Sequence, residues 1–120
     1  MTYRLDFDQR DAVIALIFSG DVSAAELEPS RADLVAALEA SGRRRVLVDF
    51  TWAVARVLVE DVFALAASHA EVFPPATRVA VVVPPKLAEL AAFSVTVARN
   101  RGFSMQAFGD AEAAARWLDA

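Results

Sequence analysis

The 120-residue chain contains no cysteine. That absence excludes disulfides and thiolate metal sites and fits a reducing cytoplasm, the compartment expected here. Histidine occurs once, as His69, which is too little for a transition-metal site, and the carboxylates lack the spacing of a calcium loop. The four glycines are not clustered, so they build no cradle for a dinucleotide or nucleoside triphosphate, and no cofactor is expected. No Gly-x-Ser-x-Gly elbow is present, and Ser68, the helix neighbour of His69, points away from it; no catalytic residues are assigned. Long uncharged runs are missing too. The stretch Ala12 to Gly20 holds nine residues, far short of the ~20 that span a bilayer. The opening residues Met1 to Asp6 carry charge where an export signal needs an apolar segment, so no such signal is expected.

What is present is apolar side chain and a mild excess of acid. The net charge of −4 disfavours nucleic acid and anionic lipid as partners. The hydrophobic fraction of 57% exceeds the usual ~45–50%, with alanine supplying much of it. Some apolar surface is therefore expected outside the core, against a partner. The length suits one domain, residues 1–120, burying roughly two thirds of the surface its unfolded chain exposes.

Along the chain, Tyr3 to Phe7 alternates and Val13 to Phe18 is continuously apolar, with Gln9-Arg10-Asp11 as a polar connection; the pair reads as a β-hairpin. Gly20-Asp21-Val22-Ser23 introduces a helix, with Ser23 and Glu26 spaced as a capping box. Leu27, Leu34, Leu38 and Ser41 share its face, Pro29 predicts a kink or restart, and Gly42 ends it. Val46 to Phe50 is a central strand. Val59, Val62, Phe63, Ala66, Ala70 and Phe73 then repeat at helical spacing until Pro74-Pro75. Arg78 to Val83 reads as a buried parallel strand, and Pro85 opens a third helix with Leu87, Leu90, Ala91, Ser94, Val97 and Ala98 inward. Gly102 closes that helix, Phe103 to Phe108 is the last strand, and Asp110 caps a terminal helix. The expected fold is a two-layer α/β sandwich, a five-stranded mixed sheet packed by helices in the order ββαβαβαβα, with right-handed crossovers.

This order, carried by Gly20 to Leu27, Val46 to Phe50, Arg78 to Pro84 and Phe108 to Leu118, resembles the SpoIIAA-like or STAS-like family, the fold class of bacterial anti-sigma-factor antagonists. The resemblance covers nearly the whole chain and implies a regulatory or binding module rather than an enzyme. The group it is most similar to joins this fold to the carboxyl-terminal domain of Sec14-type lipid carriers, which keeps an apolar ligand in play. In the phosphorylation-switched antagonists, the loop after the central strand delivers a serine to the next helix. Here that region reads Val57-Leu58-Val59-Glu60-Asp61, without a hydroxyl. Glu60 and Asp61 would also repel an added phosphate at that helix start. Thr51, the nearest hydroxyl, follows the strand directly and suits a turn or a local backbone bond.

Trp52 to Leu58 reads as an apolar loop that either folds back on the core or forms a contact surface. Asp49, at the strand's carboxyl end, is placed to pair with Arg56, and Asp49, Trp52 and Arg56 form a candidate site because ligands bind beyond such strand ends. The third helix has a wide apolar arc. Phe93 either lids the sheet edge or joins Val97 in lining a homodimer contact or a pocket for an apolar ligand. Burying one such Phe is worth roughly 1.5–3 kcal/mol, so two copies across a two-fold axis matter. Arg43-Arg44-Arg45 is a solvated helix end, and Glu71, Glu89 and Glu112 are solvent-facing acids. His69 falls at the rim of the core. The functional expectation is a noncatalytic protein-interaction or regulatory module, a homodimer; the alternative is a carrier or sensor of a small apolar, lipid-like ligand.

Overall fold

The computed structural model describes residues 2–8 and 12–120. The polar connection read at residues 9–11 lies outside the described residues; the strands on either side, β1 (Tyr3–Phe7) and β2 (Val13–Ser23), pair antiparallel as expected. β3 (Arg45–Arg56), β4 (Arg78–Val82) and β5 (Ser104–Phe108) follow in parallel, and the spatial order is β1-β2-β3-β4-β5. Each parallel strand is thus laid beside the previous one in the same direction. With crossovers all of one hand, every connecting helix lies on one face of the sheet. These are α1 (Leu27–Ser41), the pair α2 (Val59–Ala67) and α3 (His69–Val72), and α4 (Ala88–Asn100). The last helix, α5 (Ala111–Asp119), lies on the opposite face.

The alternation of β4 shows both faces at once. Val79 and Val81 point to the crossover helices and join a core of Ile14, Leu16, Phe18, Leu34, Leu38, Val46, Ala91 and Ala98. Ala80 and Val82 point the other way, against Ala114 and Leu118 of α5. A strand buried on both faces needs apolar residues at every position, which is why this segment reads as a continuous run.

Local signals place the helix ends. The Glu26 carboxylate accepts from the Ser23 N–H at 2.8 Å, as the capping spacing predicts, and a short 3-10 turn, Ala24–Glu26, leads into α1. The expected restart near Pro29 is this transition: Pro29 sits in the first turn of α1, where its missing N–H breaks no helical bond. Gly42 ends α1 at a φ of 75°, and its N–H donates to the Leu38 carbonyl. Arg44 also donates to that carbonyl, as a cation at a helix terminus should. At the far end of the chain, Asp110 Oδ1 accepts the Ala113 N–H at 2.8 Å and starts α5.

β3 is longer than expected. Ile17 pairs with Asp49 and Ser19 with Trp52, so one residue of β2 faces two of β3, a bulge at Phe50 and Thr51. Beyond it, residues 52–56 of β3 pair only with residues 19–23 of β2, forming a two-stranded ribbon past the end of β4. The segment read as an apolar loop from Trp52 is therefore strand as far as Arg56, and the Gly20-Asp21-Val22-Ser23 stretch is the strand facing it.

Candidate functional site: an apolar cavity with a buried guanidinium

Between the sheet and its crossover helices lies a cavity of about 130 Å³. Phe18, Val48 and Phe50 form its floor, with the two phenylalanine rings stacked at 4.5 Å. Val62 and Leu65 of α2 and Leu90, Ala91 and Ser94 of α4 roof it. Arg31, Ser30 and His69 supply polar groups to a wall that is otherwise almost wholly hydrocarbon. Sites for small ligands have this constitution, an apolar enclosure with few, placed polar groups.

Arg31 is the unusual member, since it is 7% exposed and pairs with no carboxylate among the described residues. Its Nη1 donates to the Leu65 carbonyl at 2.9 Å and to Ser68 Oγ at 2.9 Å, and lies 3.1 Å from His69 Nδ1. A guanidinium only donates, so His69 Nδ1 accepts and the imidazole proton resides on Nε2. His69, itself 7% exposed, stands 5.3 Å from each of the Phe73 and Phe103 rings. Burial, with the Arg31 charge adding to it, lowers its pKa to about 3, so the ring is neutral at physiological pH. Burial also lowers the pKa of Arg31, opposed by the nearby charge of Glu28. A second cleft of about 200 Å³ opens on the outer side, bordered by Ala24, Glu28, Asp61, Ala64 and Ser68, and Arg31 lines both spaces.

The structure disperses the residues expected to form a site. Asp49 accepts the Thr51 N–H at 2.9 Å and so serves the bulge; the bond engages the Thr51 backbone rather than its hydroxyl. Arg56 lies 3.4 Å from Asp21 across the ribbon, not beside Asp49. Trp52, 72% exposed, faces away from the helices together with Val54, because Ala53 on the same strand faces the core. Phe93 sits in the helix layer on the other side of the sheet, 37% exposed, with its ring 6.4 Å from that of Phe63 on α2. Val97 is buried and does not line the cavity. His69 lies deeper than the rim position expected of it. The sequence reading passed over Arg31, although it stands at helical spacing between Leu27 and Leu34, a charge in the middle of an apolar stripe.

The family model described as SpoIIAA-like matches residues 13–119. No curated protein matches the chain. Among solved structures, an uncharacterized DUF3478-family protein with a SpoIIAA-like fold from Shewanella loihica PV-4 is 23% identical, over 97% of this chain and 91% of that one, with a TM-score of 0.59. The anti-sigma factor antagonist SpoIIAA in its unphosphorylated form is 17% identical, over 98% and 99%, with a TM-score of 0.63. The Bacillus cell fate determinant SpoIIAA in its phosphorylated form is 17% identical, over 96% and 98%, with a TM-score of 0.58. These likenesses are of fold. No helix among the described residues is long and apolar enough to cross a membrane.

Proposed function

The chain belongs to the SpoIIAA-like family, and from that membership we propose that it works by binding, as a noncatalytic protein-interaction or regulatory module. The observation that carries this reading is the outer surface of α2 and α4. Val59 and Phe63 of α2, Leu58 just before it and Phe93 of α4 are all exposed, at 52%, 43%, 66% and 37%. The opposite side of α2 presents Val62 and Leu65 to the cavity. A helix apolar on both sides is expected to be covered on both. The helix start also favours a constitutive rather than a phosphate-switched module. Asp61 Oδ2 accepts the Leu58 N–H at 3.1 Å, Glu60 lies beside it, and Val57 to Asp61 offers no hydroxyl. The cell fate determinant SpoIIAA exists in a phosphorylated form; this chain lacks an acceptor in that stretch.

A second copy of the chain is the partner this reading assigns to the surface. Solution mass of wild type and Phe93→Asp at equal concentration tests it. Wild type is expected at twice the chain mass and the variant at the single mass; a monomeric wild type overturns the dimer.

The cavity favours a second reading, a carrier or sensor of a small apolar ligand. Native mass spectrometry of protein purified gently from cells is expected to show a bound adduct of low mass that organic solvent removes. A chain that arrives empty and takes up no added apolar compound overturns this reading.

A further inference from the structure

We propose that the occupant of the cavity is an amphiphile with a carboxylate head on a short apolar body, and that Arg31 receives the head. The inference rests on the carrier reading and adds to it the chemistry of the ligand. All three contacts of the guanidinium with protein are made by Nη1, and every one is to a neutral acceptor. Nε and Nη2 have no protein partner, yet no buried side-chain nitrogen or oxygen among the described residues lacks one. These two nitrogens therefore border open space, and Arg31 lines both the cavity and the outer cleft. An arginine side chain keeps its charge when buried, and the nearby charge of Glu28 offsets the cost of that burial only in part. The neutral His69 cannot serve as a counter-ion.

The Nε–Nη2 edge of a guanidinium offers two parallel N–H groups, which match the two oxygens of a carboxylate. A single cation balances one negative charge, so a carboxylate fits better than a phosphate dianion. Glu28 and Asp61 line the outer cleft and repel an anion there, which directs the head to the inner side of Arg31. The body then lies among Phe18, Phe50, Val62 and Leu90. The volume of about 130 Å³ is close to that of cavities of about 150 Å³ that admit benzene, so the body is one ring or a short alkyl chain.

The test titrates hexanoate and hexanol separately into the full chain and follows the amide NMR shifts of cavity residues. The expected result is binding of both, with hexanoate tighter by about tenfold or more, the fold-change of one charge-assisted hydrogen-bonded contact. Arg31→Met is expected to abolish that preference while hexanol still binds; Arg31→Lys retains part of it. Equal affinities in wild type, or hexanoate shifts confined to Arg43, Arg44 and Arg45, overturn the carboxylate head and leave the carrier reading standing. Failure of both compounds to bind overturns the carrier reading as well. Should Arg31→Met not fold, the wild-type ratio decides alone.

Discussion

His69 is surrounded by aromatic carbon and a guanidinium, neither of which welcomes a proton. With its folded pKa lowered to about 3, the unfolded chain takes up a proton below about pH 6.5 that the folded chain refuses. Stability is therefore full above that value and falls as the pH drops toward 3, by up to about 1.4 kcal/mol per pH unit. Urea unfolding at pH 7.5 and 5.0 is expected to differ by about 2 kcal/mol from this group, and His69→Asn is expected to flatten that part of the profile. A variant with the unchanged slope removes His69 as the cause. Its partner Arg31 shows what sequence reasoning can and cannot reach at this scale. The spacing Leu27, Arg31, Leu34, Leu38 already puts the charge on the inner face, but the groups that receive it, the Leu65 carbonyl, Ser68 and His69, lie 34 to 38 residues away. No local pattern connects them.

Helix boundaries were legible because they rest on chemistry within four residues. Asp110 does for α5 what Ser23 and Glu26 do together for the entry to α1, satisfying N–H groups that have no helical partner. The nine residues of α5 cover the second face of the sheet alone, so its start matters to the packing of Ala114 and Leu118. Asp110→Ala is expected to lower stability by about 1 kcal/mol and Asp110→Asn by much less, measured by chemical denaturation; equal losses would show that charge rather than capping is responsible. Strand β3 reads short in the sequence for an equally physical reason. The bulge shifts the alternation by one residue, so that Ala53, Ala55 and Val57 face inward where the phase of Val46, Val48 and Phe50 predicts even-numbered positions. Small inward residues after a phase change resemble a loop. Asp49, which reads as a ligand group at a strand end, is instead occupied by the backbone N–H the bulge frees.

For the molecule as a whole, the mixed sheet and its five strands followed from the order of elements, because the crossover rule leaves few arrangements for strands joined by helices. The division of exposed apolar side chains was not legible. Trp52 and Phe93 look alike in a sequence, and only the sheet between them assigns one to the ribbon and the other to the helix layer. The sequential strand order has a kinetic consequence. During synthesis each strand from β3 onward meets a free edge of the sheet already made, and none must be inserted between two that have paired. The search for partners stays short at every step, and the assembly line runs in the direction in which the ribosome delivers the chain.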